Sequence, residues 1–407
     1  MTDAALDLPV DLPLDHPLLP FDRGSCPFDP PADYQQWREE GPVRRVSLPG
    51  DRTAWLVTRY DDVRAVLGDP RVSSDGHRPG FPSVRPGQLP FAGNLIGYDA
   101  PKHDVLRRML TRTFMVRNVE RMRPRIHDLV HSLLDDLAAQ PQPADLVQHF
   151  ALPLPSMVIC ELFGVPYADR AIFQRNAQTI VSMKVTTAEA DAAIKNISDY
   201  MVELLERKNR EPAEDLFSEL AVQRVRTGEL SVEEAAGIGV LLLIAGHETT
   251  TNMITLSTLS LLRDPAQLRA LLDAPDTVPL AIEELLRYLT IVHTGLRRIA
   301  AEDLEVGGVT IPAGEGIVLP LQSANRDPDT FADPDRLDLD RGARNHVAFG
   351  YGIHQCLGQP LARVELQVAL PALFTRFPDL RVTTPVDQLP FKNDASVYGV
   401  HELPVAW

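Results

Sequence analysis

The segment FGYGIHQCLGQ, residues 349–359, places Cys356 among Gly350, Gly352 and Gly358, with His354 two positions before it. A helix-like run from Gln359 to Phe377 follows. Three roles compete for the cysteine. A structural thiol has no need of the glycines. A nucleophile at the amino end of a helix gains from the helix dipole, with His354 as its base, but side chains two apart seldom face one another. A single thiolate also suits haem iron, where axial sulfur pushes electron density toward O–O cleavage. Glycines then let backbone amides approach the sulfur and keep side chains off a large flat macrocycle. Only this third role uses every feature of the segment.

The rest of the composition narrows the class. The chain has 407 residues, 44 % of them apolar, which is enough for a large core. Its net charge of −16, from 40 Lys and Arg against 56 Asp and Glu, argues against nucleic acid as a partner. Three scattered cysteines (Cys26, Cys160, Cys356) form no disulfide framework and no zinc motif, and Cys160 in LPSMVICELFGVP reads as a core thiol. The opening residues carry acids where a leader needs bases. The longest apolar run, Ala235–Gly246, falls short of the ~20 residues of a membrane span. These features imply a soluble, cytoplasmic protein of a reducing compartment with no membrane partner.

Residues 1–31 form a Pro-rich arm, and 32–407 read as one α-rich unit. Short strands are expected at Val43–Ser47 and Thr53–Thr58, and a short helix at Asp61–Leu67. The stretch 73–101, rich in Pro and Gly around isolated hydrophobics, reads as a long, mobile functional loop. Helical periods dominate from Lys102 to Tyr288, and hairpin-like pieces return at Leu304–Pro320 and after Leu380.

Ser231-Val-Glu-Glu234 is a capping box and Arg263-Asp264-Pro265 a stop, so one helix of about thirty residues, ~46 Å long, is expected between them. Its middle, AGHETTT (245–251), is a poor helix former. The Thr249 hydroxyl is placed to bond the Ala245 carbonyl and to loosen the ladder there. Glu248 and Thr249 set an acid and an alcohol in an apolar element. That pattern serves either as a polar patch against solvent or a neighbouring helix, or as a proton relay into a dry pocket.

At this point the residues reach a known family. FGYGIHQCLG resembles the haem-binding loop of the cytochromes P-450, the haem-thiolate monooxygenases. AGHETT (245–250) is similar to their oxygen-activating central helix, ELLR (284–287) to their Glu-x-x-Arg pair and PDRL (334–337) to its third member. These motifs fall in family order across nearly the whole chain. CPFDPP (26–31) and HQCLGQ (354–359) draw the likeness toward soluble bacterial members that oxidise bulky apolar natural products and drugs.

The resemblance implies a mainly α fold, one α-rich domain with small peripheral β-sheets, and heme b (iron protoporphyrin IX) between the long central helix and the cysteine-loop helix. Cys356 would be the metal ligand, and Ala245, Gly246, Phe349, Gly350 and Gly358 would touch the cofactor. His103, Arg107, Arg298 and His354 would bind its carboxylates. Glu248 and Thr249 would deliver protons, and Glu284, Arg287 and Arg336 would form a buried ion network behind the cysteine loop. Phe81, Leu95, Ile96, Val181, Leu242, Ala245, Ile291, Val292 and Val397 are the candidate walls of a substrate pocket. Hydroxylation of a bulky hydrophobic molecule by O₂ would follow, with electrons from NAD(P)H through ferredoxin reductase and ferredoxin. Residues 102–125 hold eight bases against two acids, so the acidic ferredoxin would dock near Arg108 and Arg112.

Overall fold

The computed structural model describes residues 17–19, 23–24, 26–50, 52–85, 87–88 and 90–407, so the first sixteen residues of the arm lie outside it. The end of the arm is anchored: Leu18 bridges Ser47, and the Arg23 guanidinium lies 3.8 Å from the Tyr398 ring centre.

The central helix runs from Val232 to Arg263. Its capping box is complete, with Glu234 N–H donating to Ser231 Oγ and Ser231 N–H to the Glu234 carboxylate, both 3.1 Å. It ends because the Asp264 side chain turns to cap the next helix, Pro265–Asp273. At 1.5 Å per residue it is ~48 Å long and crosses the molecule. Thr249 Oγ donates to the Ala245 carbonyl at 2.7 Å as expected, yet the helix stays α throughout. A carbonyl has two lone pairs, so the hydroxyl adds a bond without displacing the backbone one. The wider π turns occur elsewhere, at Val147–Ala151 and Leu220–Val225.

Around this helix pack Arg123–Ala138, Pro153–Phe163, Thr187–Arg210, Val278–Leu289 and Gln359–Arg376, which share one apolar core. Cys160 lies in that core, its thiol pushed up to about 12 by burial, as an inert packing residue should be. The β-structure is peripheral. One sheet orders Val43–Leu48, Arg52–Val57, Gly316–Leu319, Leu296–Ala300 and Val72–Ser73, with only the second pairing parallel. In a second sheet the tail strand Pro404–Ala406 lies between Ala144–Asp145 and Arg381–Val382.

The loop 73–101 is tied down at several points rather than loose. Asp99 takes hydrogen bonds from Ser73 Oγ (2.5 Å) and Ser74 N–H (2.8 Å), which closes its base. Arg85 donates to the Ile180 carbonyl at 2.8 Å. Ala92 O lies so close to Gly237 of the central helix that an added Cβ would stand 1.6 Å from it. No helix among the described residues is long and apolar enough to cross a membrane.

Candidate active site

The central helix is buried along nearly its whole length, with one interruption. Leu241, Ala245 and Thr249, four residues apart, are accessible or half-buried, as are Ile244 and Gly246 on either side of Ala245. A stripe of that spacing shares one helix face, so this face borders a void inside the protein. At Gly246 an added Cβ would stand 2.7 Å from Ile159 Cδ1, so the glycine permits close helix packing there.

Glu248 turns away from the void. Its carboxylate is 2 % exposed and accepts from Lys392 Nζ at 3.2 Å, while the same ammonium donates to Asn252 at 3.1 Å. His247 lies 3.9 Å from the acid; burial lowers its pKa, and its Nδ1 donates to the Leu243 carbonyl at 2.6 Å. Acid and hydroxyl are therefore neighbours on the helix but not in one chamber. Lys392 was not legible in FKNDASVYGV; its partner lies 144 residues earlier.

The cysteine loop closes on Leu67. Gly352 has φ +74°, and an added Cβ there would meet Leu67 O at 2.4 Å, so only glycine fits. Cys356 is accessible on one side and enclosed on the others. Desolvation raises the pKa of its thiol, and the backbone N–H groups of Gly358 and Gln359 with the guanidiniums of Arg107 and Arg363 act against that rise. Those donors stabilise a thiolate.

Next to it gather two imidazoles and two guanidiniums. The His103 and His354 rings lie 4.2 Å apart, and His103 Nε2 and His354 Nδ1 are buried with no hydrogen-bond partner among the described residues. His103 Nδ1 is held by Asp104 at 2.9 Å. Burial and the nearby charges of Arg298, His103 and Arg107 push His354 down to about 3. Arg298 is itself lowered to about 10 by burial. Arg107 donates to the Gln355 carbonyl at 2.6 Å, which ties its helix, Lys102–Thr111, to the cysteine loop. Orphaned buried donors facing shared positive charge form a binding place for carboxylates. His354 pairs with His103 and not with Cys356, so the cysteine–histidine nucleophile has no geometry here.

Behind the loop, Glu284 and Arg287 are fully buried and joined at 2.7 and 2.8 Å. The third member differs from expectation. Arg336 is exposed and contributes only its carbonyl, at 3.3 Å from Arg287; the guanidinium that reaches Glu284 belongs to Arg341, at 3.2 Å. Arg341 wins because the 3₁₀ turn Leu339–Arg341 swings it inward.

The cytochrome P450 family model matches residues 28–404. The chain belongs to the cytochrome P450 family. It is 50 % identical to cytochrome P450-SU2 of Streptomyces griseolus over 385 residues, covering 94 % of each chain. It is 45 % identical to the 20-oxo-5-O-mycaminosyltylactone 23-monooxygenase of Streptomyces fradiae, covering 94 % of this chain and 91 % of that one. The crystal structure of the mycinamicin VIII C21 methyl hydroxylase of Micromonospora griseorubida, bound to mycinamicin VIII, aligns with a TM-score of 0.91 at 40 % identity, over 96 % of this chain and 100 % of that one. This cytochrome P450 is accordingly a monooxygenase that uses O₂, a haem-iron cofactor and a redox partner, and its fold is the mainly α fold expected.

The residues of this cytochrome P450 fit that cofactor: a thiol flanked by backbone donors, orphaned imidazoles and two guanidiniums for carboxylates, and an accessible stripe on the central helix. Of the pocket walls expected, Val181, Val292 and Val397 are drawn toward one place by the tail, where Val292 bridges Val397 and Ser396 N–H donates to the Val181 carbonyl at 2.9 Å. Leu242 and Ile291 are buried and Phe81 half-buried. Leu95 is buried at 3 % exposure and Ile96 is 57 % exposed.

Proposed function

We propose that this chain hydroxylates a bulky hydrophobic natural product, such as a polyketide, at heme b held by Cys356. The observation that carries this reading is the pair of orphaned imidazoles beside a glycine-flanked thiolate. Two relatives support the substrate class, one named for 20-oxo-5-O-mycaminosyltylactone and one bound to mycinamicin VIII. When bound, the haem supplies the reductive activation of O₂. Cys356 would supply the sulfur that holds its iron. His103, Arg107, Arg298 and His354 would orient it through its carboxylates, with Asp104 holding His103 Nδ1 at 2.9 Å. Phe349, Gly350 and Gly358 shape the sulfur side, and Ala245 the opposite face. Val181, Val292 and Val397 supply apolar wall that excludes water.

Thr249 holds its hydroxyl against the Ala245 carbonyl at the border of the void, where it would hold a proton for transfer into the pocket. Glu248, its neighbour on the helix, turns to Lys392 at 3.2 Å and would feed the relay only from behind that hydroxyl. Thr249→Ala is expected to retain the pigment and to divert reducing equivalents to peroxide several-fold over the parent. Normal coupling of NAD(P)H consumption to product in that variant excludes the relay.

Electrons are expected from a ferredoxin and its NAD(P)H-dependent reductase. A recess of about 450 Å³ on the sulfur side is lined by Met115, Val116 and Arg117 together with Cys356. Within the basic run 102–125, Lys102, Arg123 and Arg125 are paired with Glu234, Glu120 and Glu161. Arg108, Arg112, Arg117 and Arg121 are exposed and carry no ion pair among the described residues, so they are the docking charges. Turnover should fall steeply with added salt through weaker ferredoxin affinity; a salt-independent rate at subsaturating ferredoxin counts against this face.

The deciding experiment is a spectrum of the reduced, carbon-monoxide-bound protein, which should show the far-red-shifted Soret band of thiolate ligation. Spin-state shifts across a set of hydrophobic natural products then identify the substrate class. Absence of that band rejects the reading.

A further inference from the structure

Beside the Glu284 network lies a second buried ion cluster that the sequence motifs did not indicate. Glu283, the preceding residue on the helix Val278–Leu289, points toward the cysteine loop. Its carboxylate accepts from Arg363 Nε at 2.6 Å and Nη2 at 2.9 Å, and from His346 Nε2 at 3.2 Å. Burial alone would raise the pKa of this acid, but the bonds from His346 and Arg363 outweigh it and bring it to about 2. The Ala348 N–H donates to His346 Nδ1 at 3.1 Å, which leaves Nε2 to donate to Glu283. Arg363 is further held by Gln359 Oε1 at 2.8 Å. Its guanidinium carbon then lies 4.6 Å from the centre of the Phe349 ring, and the Phe349 carbonyl accepts the Cys356 N–H at 2.8 Å, which sets the cation beside the cysteine loop.

A bidentate clamp, a histidine on the clamping acid and an aromatic face together hold this guanidinium in one orientation. An arginine needed only for packing requires no such orientation. We propose that Arg363, oriented by Glu283 and His346 against Phe349, is a positioning residue whose cation sets the electron density on the Cys356 sulfur and hence the reduction potential of the iron held there. This inference rests on the reading of Cys356 as the haem ligand. The physical basis is direct: a fixed positive charge near an axial thiolate makes it a poorer donor and favours the ferrous state. Glu283 has two opposed effects, since it holds the cation in place and partly cancels it.

The test is reductive titration of the purified, haem-loaded protein with chemical mediators, which needs no redox partner and no substrate. In Arg363→Met the cation is gone, and the ferrous-to-ferric ratio at a fixed applied potential should fall on the order of tenfold. In Glu283→Gln the cation stays under a neutral acceptor and loses its counter-charge, so the ratio should rise. Arg363→Lys keeps the charge and loses the fork, and should fall between the parent and Arg363→Met. A purely structural cluster moves all three variants in one direction, or moves only the haem content, and that pattern overturns the proposal. If Arg363→Met does not hold its pigment, Glu283→Gln and Arg363→Lys still decide it, because their shifts must have opposite signs. A parent protein without the thiolate-type carbon-monoxide band fails the underlying reading instead, which keeps the two failures distinct.

Discussion

Cys356→Ala is expected to abolish substrate oxidation and to remove the far-red-shifted carbon-monoxide band, while the protein still folds. The side chain lies on the accessible side of its loop, and its backbone N–H donates to the Phe349 carbonyl at 2.8 Å whatever residue stands there. Alanine therefore keeps the loop but removes the only sulfur within it. The carboxylate-binding side chains survive, so some haem is expected to bind weakly with a blue-shifted band. Activity should fall below detection rather than by a modest factor, because the axial thiolate is the protein's main lever on O–O cleavage. Unchanged colour together with unchanged oxidation in this variant would overturn the functional reading as a whole.

Glu284→Gln is expected to give the largest loss of stability. Glu284 is fully buried and accepts from Arg287 twice, from Arg341 Nε at 3.2 Å and from the Asp338 N–H at 3.1 Å. Neutralising it leaves the fully buried Arg287 cation without its counter-charge, which costs about 3–5 kcal/mol. Against a typical total of ~5–15 kcal/mol, that is a large share. The damage reaches the cofactor site through a short chain of contacts. Arg287 donates to the Asn325 carbonyl at 2.7 Å, and the Asn325 side chain accepts the Val347 N–H at 2.8 Å, two residues before Phe349. Both a lower unfolding temperature and a lower haem-to-protein absorbance ratio are expected. Arg341→Met should have a smaller effect, since its side chain is partly accessible and Glu284 keeps Arg287. Equal haem content in Glu284→Gln and the parent would show that the network does not support the loop.

The features legible in the chain were those whose physics is local. The Ser231–Glu234 box, the Thr249 bond to Ala245 and the Glu284–Arg287 pair all join residues three or four apart, where helix geometry fixes the encounter. The cysteine loop was readable for a similar reason, because its glycines state a backbone requirement in the sequence itself.

What the sequence by itself determined, then, was the central helix, the thiol loop and the helical ion pair. Tertiary structure alone decided which way the side chains of that frame turned. It sent Glu248 to Lys392 in the tail, chose Arg341 over Arg336, set Gly246 against Ile159 and clamped Arg363 with Glu283. Each of these depends on which distant segment arrives beside a helix face. A lone lysine or arginine carries no mark of its partner until packing removes the water that would otherwise solvate it.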